Sequence, residues 1–213
     1  MIPVVTLTRV EQAVPVAQSL LAGGLGCVEV TFRSDAAALS IDEIRTHVPS
    51  VVVGAGTVLS VAQADAAIEA GAAFIVAPAF NPVVFEHVMA RGVPMLPGIA
   101  TPTELERLMQ RGVTIVKVFP VEPMGGAKYL RALAGPYPMM RYVPTGGVTA
   151  ANLSAYLGVS EVIAVAGTWL ATEDAVDSCA WATIERLAAE AVTLVALSRT
   201  QRERRPSAQG SLS

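Results

Sequence analysis

Val113-Thr114-Ile115-Val116-Lys117-Val118-Phe119-Pro120 is short, rich in β-branched residues and stopped by a proline, so it reads as a buried strand. Lys117 stands alone inside it and is one of only two lysines in 213 residues. Side chains alternate along a strand, which puts Ile115, Lys117 and Phe119 on one face and Val116 and Val118 on the other. We assign the lysine face to the interior of a barrel, because the other choice presses an ammonium against a helix layer. Burial disfavours the charged form of an amine. A neutral amine among apolar walls is what imine formation with a carbonyl compound requires. A lysine that snorkels from a strand end, or that pairs with a buried carboxylate, is the structural alternative left open by this run alone.

Outward from that strand the same unit recurs. Apolar runs at residues 4–7, 27–31, 51–54, 74–77, 94–97, 115–119, 141–143 and 162–166 alternate with amphipathic stretches such as 9–22, 61–70, 103–110 and 151–157. Several stretches end at a glycine, as helices do: Gly23, Gly71, Gly92, Gly112 and Gly158. Eight strand–helix units of nearly equal length predict an α/β fold, a (β/α)8 TIM barrel in one domain over residues 1–197. A doubly wound sheet is the alternative, disfavoured by the lack of a switch point. The first strand starts so early that any helix plugging the barrel floor would have to be absent or be supplied by Met1, Ile2 and Pro3. The last helix is expected at 183–197. The basic, aperiodic segment 198–213 is expected to be a disordered tail.

Hydrophobic residues make up 53% of the chain and charged residues only 15%, which suits a large core and a subunit interface. A net charge of −3 gives no footprint for nucleic acid. No apolar run is long enough for a membrane span and no signal-like segment opens the chain, so a cytoplasmic location is expected. Cys27 and Cys179 lack metal-ligand spacing and are expected as free thiols with packing roles. His47 and His87 fall in expected helices without a carboxylate cluster, so neither a metal nor a cofactor is expected.

In a barrel of this kind the site forms at the C-terminal ends of the strands. Strand two ends in Val28-Glu29-Val30-Thr31-Phe32-Arg33, strand three in Gly54-Ala55-Gly56-Thr57, strand four in Val76-Ala77-Pro78 and strand five in Pro97-Gly98. Strand seven ends in Pro144-Thr145-Gly146-Gly147 and strand eight in Ala166-Gly167-Thr168. Glu29, like Lys117, is alone in an apolar run, and one acid and one amine in the same barrel mouth read as a functional pair. A plain salt bridge from Glu29 to Lys117 or Arg33 is the simpler alternative. A nearby carboxylate favours an ammonium while burial disfavours it, so the balance stays open. The glycine-containing turns after strands seven and eight suit an anion held by backbone N–H groups, although ordinary turn chemistry also uses glycine.

In order along the chain, VEVTFR (28–33), VGAGTV (53–58), VAP (76–78), PGIATPTE (97–104), VKVFP (116–120), LAGP (133–136), VPTGGV (143–148) and AGTWL (166–170) resemble the 2-dehydro-3-deoxy-6-phosphogluconate aldolase family. The resemblance implies a metal-independent, Schiff-base carbon–carbon lyase of the Entner–Doudoroff pathway. It releases pyruvate and glyceraldehyde 3-phosphate and also cleaves 4-hydroxy-2-oxoglutarate. Lys117 would form the Schiff base and Glu29 would act as general acid and base through a water. Arg33 and Thr57 would bind the pyruvate carboxylate, and Thr145 would touch the reacting region. Gly146, Gly147, Gly167 and Thr168 would hold the phosphate, while Pro78 and Phe119 shape the pocket. The partners implied are a keto-acid phosphate and two further copies in a homotrimer. Arg33 and Thr145 favour the gluconate over the galactonate configuration. Two departures from the family are expected: no N-terminal helix of the kind many members carry before the first strand, and Thr168 where serine is common. A galactonate-specific variant, a sugar-phosphate epimerase or isomerase, and a non-catalytic sugar-phosphate-binding barrel are the competing readings.

Overall fold

Each apolar run becomes a strand and the segment after it a helix, throughout the residues 1–203 that the computed structural model describes. The order is β1 (Ile2–Val5), a 3-10 turn (Val10–Gln12), α1 (Ala13–Ala22), β2 (Cys27–Thr31), α2 (Ala37–His47), β3 (Val52–Gly56) and α3 (Val61–Glu69). It continues with β4 (Ile75–Val76), α4 (Pro82–Ala90), β5 (Met95–Leu96), β6 (Gly98–Ile99), α5 (Pro102–Met109), β7 (Ile115–Val118) and α6 (Gly126–Ala134). Last come β8 (Arg141–Pro144), α7 (Leu153–Leu157), β9 (Ala166–Gly167), α8 (Glu173–Asp177) and α9 (Trp181–Glu203).

The strand pairings are parallel. One sheet runs β5-β4-β3-β2-β1-β9 and the other β6-β7-β8. This sequential order has no reversal at which a doubly wound sheet would change direction. The fifth run, expected as one strand at 94–97, is two short strands that meet different neighbours: β5 pairs with β4, and β6 pairs with β7. Pro97 causes the break. It has no N–H to give, yet its carbonyl accepts from Lys117 N at 2.9 Å.

Register builds the layer that matters. Val4 lies opposite Glu29, and Glu29 opposite Gly54. On the second sheet Gly98 lies opposite Lys117, and Lys117 opposite Val143. Val4, Val143 and Ala166 form a small buried cluster with Ile2, Leu96 and Ala164, on the face away from the helices. The outward faces feed two larger clusters. One joins Val5, Val28, Val30, Val53 and Ala55 to α1–α4 and α9, and the other joins Val116, Val118 and Tyr142 to α5, α6 and α7. The alternation expected for the Lys117 strand therefore holds: Val116 and Val118 are wholly buried under helices, and Lys117 points the other way. Ile115, at the opposite end of that face, is 41% exposed.

Of the two alternatives for the barrel floor, Met1, Ile2 and Pro3 supply no helix: Ile2 and Pro3 belong to β1 and pair with Ala166 and Gly167. Other expectations are corrected. Cys179 is exposed rather than buried, because it takes a left-handed conformation at φ 54 where α8 gives way to α9. Cys27 is half-buried, its thiol pushed up by burial and donating to Met1 O at 3.3 Å. The last helix runs to Glu203, past its expected end at Leu197. Residues 204–213 of the expected tail lie outside the described residues.

Candidate active site

Strand β7 carries Lys117 inward and strand β2 carries Glu29 inward, and their side chains meet. Lys117 Nζ lies 3.3 Å from Glu29 Oε1, with the two side chains 5% and 1% exposed. The ammonium position is 5.7 Å from the centre of the Phe119 ring. Glu29 Oε2 is buried without a hydrogen-bond partner among the described residues. A buried carboxylate with one oxygen engaged and one free retains a lone pair for a proton in transit. Gly56 makes room for this carboxylate, since a Cβ there would collide with Glu29 Oε1.

The other candidate residues sit at the ends of neighbouring strands. Thr145, 5% exposed, follows β8, and its N–H donates to Val118 O at 3.0 Å, tying it to the lysine strand. Gly146 and Gly147 follow with φ of 94° and 83°, a conformation that glycine adopts without strain. A Cβ at Gly146 would lie 3.0 Å from the Phe119 ring and from Pro120. Thr57 holds φ at 55°, which is rare for a β-branched residue and is tolerated where surrounding structure enforces it. Pro78 follows β4, and its backbone passes so close to Gly98 that no side chain fits there.

Arg33 and Thr168 stand together at a separate, more open cleft. They line it together with Val4, Thr6, Thr172 and the acidic pair Glu173 and Asp174. Thr6 Oγ1 lies 3.0 Å from Thr31 Oγ1, and Thr31 stands two residues beyond Glu29 on the same strand face. Val4, on the wall of this cleft, lies opposite Glu29 in the sheet. Arg33 is exposed and has no ion-pair partner among the described residues, which leaves its guanidinium free for an anionic group. Gly167 is buried beside Trp169, whose indole a Cβ would approach to 2.8 Å. No group of three His, Cys, Asp or Glu side chains able to hold a metal occurs among the described residues.

A family model described as KDPG and KHG aldolase matches residues 1–187. The chain belongs to the KDPG and KHG aldolase family. A 2-dehydro-3-deoxy-phosphogluconate aldolase of Treponema pallidum is 45% identical over 194 residues, covering 91% of this chain and 92% of that one. A KHG/KDPG aldolase of Escherichia coli K12 is 40% identical over 191 residues, covering 90% of each. Among solved structures, the KDPG aldolase of Legionella pneumophila with pyruvate captured as a covalent carbinolamine has a TM-score of 0.86 at 32% identity, covering 88% of this chain and 91% of that one.

Some candidate-site features escaped the sequence reading. Thr6 lines the cleft and meets Thr31, and it sits at the end of the first strand, where the strand-end rule would have found it had that strand been read with the others. Glu173 and Asp174 carry no strand signal because they open a helix after β9.

Proposed function

We propose that the chain is a class I aldolase that reversibly cleaves 2-dehydro-3-deoxy-6-phosphogluconate to pyruvate and glyceraldehyde 3-phosphate, with 4-hydroxy-2-oxoglutarate as a second substrate. The observation that carries this reading is the buried Lys117 Nζ, 3.3 Å from Glu29, in the inner layer of the strands. Lys117, having released its proton, adds to the C2 ketone, and loss of water leaves a protonated imine. The C3–C4 bond then breaks. Its electron pair moves into the imine to give an enamine, while the C4 hydroxyl proton passes to Glu29, directly or through a water. Glyceraldehyde 3-phosphate departs. Glu29 returns a proton to C3 of the enamine, and hydrolysis of the imine frees pyruvate and Lys117.

The supporting roles are those that the family resemblance implies. Arg33 and Thr57 take the pyruvate carboxylate, Thr145 contacts the reacting carbons, and Gly146, Gly147, Gly167 and Thr168 hold the phosphate by backbone N–H groups and a hydroxyl. Pro78 and Phe119 shape the walls. Arg33 and Thr145 favour the gluconate configuration. The frame is a (β/α)8 barrel in a single domain over residues 1–197. Its closure is supported by the pairing of β9 with β1, the Tyr142–Val162 bridge that joins β8 to the segment entering β9, and the direct run from β5 into β6. A homotrimer in the cytoplasm completes the proposal; among the described residues no helix is long and apolar enough to cross a membrane.

Coupled assays of pyruvate release test the substrate assignment. The gluconate-configured phosphate is expected to have the highest kcat/KM, followed by its galactonate epimer and 4-hydroxy-2-oxoglutarate, and Lys117→Met is expected to abolish all three. Equal rates for the two epimers would remove Arg33 and Thr145 from specificity. Full activity in Lys117→Met would remove the Schiff base.

A further inference from the structure

The loop after the lysine strand and the glycine loop after β8 are joined by more than their backbones. Val121 N donates to Thr145 O at 2.8 Å and Glu122 N to Gly146 O at 3.1 Å. Beneath those bonds lies a side-chain network. Glu122 Oε1 accepts from the Tyr156 hydroxyl and, at 3.1 Å, from Asn152 Nδ2. Asn152 Nδ2 also donates to Gly147 O at 3.0 Å, and Asn152 Oδ1 accepts from Thr149 N at 2.8 Å. Glu122 thus stands at the join of three elements: the loop from β7, the glycine loop, and α7, which supplies Tyr156.

The packing is equally tight. A Cβ on Gly147 would lie 2.6 Å from Glu122 Cβ, so the glycine loop rests directly on this side chain. Tyr156 is wholly buried, and its phenol is held protonated well above the ordinary range by burial first and by the bond to Glu122 second. An acid this close to an anion-binding loop repels phosphate unless its charge is absorbed elsewhere. Two donors engage it here, the Tyr156 hydroxyl and Asn152 Nδ2, and the second of them also holds Gly147 O. That arrangement suits a brace and not a ligand.

We infer that Glu122 is a positioning residue that braces the Gly146–Gly147 loop, through Asn152 and Tyr156, and so sets the affinity of the site for the phosphorylated end of its substrate. The inference rests on the aldolase reading above, in which the glycine loop holds the phosphate. Released from the brace, the loop's N–H groups lose their fixed aim, while Lys117 and Glu29 on the facing strands keep theirs.

Steady-state kinetics on Glu122→Gln and Glu122→Ala, with the phosphorylated substrate and unphosphorylated 4-hydroxy-2-oxoglutarate, test it. In Glu122→Ala, KM for the phosphorylated substrate is expected to rise by roughly tenfold or more, and its kcat/KM advantage over the unphosphorylated substrate to fall by about the same factor. Glu122→Gln keeps the carbonyl oxygen and is expected to lose much less. An equal loss for both substrates, or no loss for either, overturns the inference, as does a Glu122→Gln variant as impaired as Glu122→Ala. Borohydride trapping of pyruvate on Lys117 in the wild-type protein separates the two claims. If trapping fails, the aldolase reading fails; if it succeeds and the substrate ratio does not move in Glu122→Ala, only the brace fails.

Discussion

Neither Lys117 nor Glu29 can be buried alone without a large desolvation cost, so each is the reason the other is tolerated in a strand. The pair was legible in the sequence because each stands singly in an apolar run, and strand alternation fixed the facing. Its spacing was not legible, because it depends on Gly56, which lets the carboxylate lie flat over β3. Gly56→Ala is therefore expected to displace Glu29, costing about 1–3 kcal/mol of stability by overpacking and a much larger fraction of turnover. Denaturant midpoints beside kcat measure this, and wild-type turnover would show that Glu29 needs no such seat. Glu29→Gln still accepts a bond from Lys117 but cannot shuttle a proton. Its kcat is expected to fall by roughly 10²–10⁴ while pyruvate still forms the Lys117 adduct. Normal kcat in that variant would remove Glu29 from the proton transfers.

At the level of elements, β8 offers a test of stability that leaves the chemistry untouched. Tyr142 is wholly buried on its outward face, and its hydroxyl has no partner among the described residues. Burial first, then the negative charge of Glu161, pushes its phenol up to about 12. In the unfolded chain a tyrosine titrates near its ordinary value of about 10. Below that value both states are neutral and stability is complete. Between pH of about 10 and 12 the unfolded chain ionises first, so stability declines. Tyr142→Phe is expected to flatten this alkaline decline and to change stability by less than about 1 kcal/mol at pH 7, since it removes an unpartnered hydroxyl. Unfolding curves from pH 8 to beyond the titration decide it, and an unchanged alkaline slope would assign the decline to other groups. Helix and strand positions were largely legible from apolar periodicity and terminal glycines. The split of the fifth strand at Pro97 was not, because a missing N–H changes the pairing partner without changing the hydrophobic pattern. The Glu122 brace was invisible for a similar reason: Glu122, Asn152 and Tyr156 come from a loop and a short helix with no period to mark them.

For the whole molecule, the sequential parallel strands gather residues from distant parts of the chain onto one inner layer, and a buried amine–carboxylate pair 88 positions apart becomes adjacent. Exposed Leu59, Val83, Met89 and Met139 leave apolar surface suited to a subunit contact. Sedimentation equilibrium is expected to return three copies, and a monomer at micromolar concentration would contradict the trimer. The alternation of parallel strands and helices was readable because each strand carries its own apolar run; which faces would meet another copy was not, since surface residues carry no such period. The central claim is that one buried amine, Lys117, forms the covalent bond to substrate. Incubation with pyruvate, reduction with borohydride and peptide mass mapping test it most directly. The account predicts a single pyruvyl adduct on the peptide bearing Lys117, absent in Lys117→Met; a folded wild-type protein that gains no adduct, or gains it on Lys128, would contradict it.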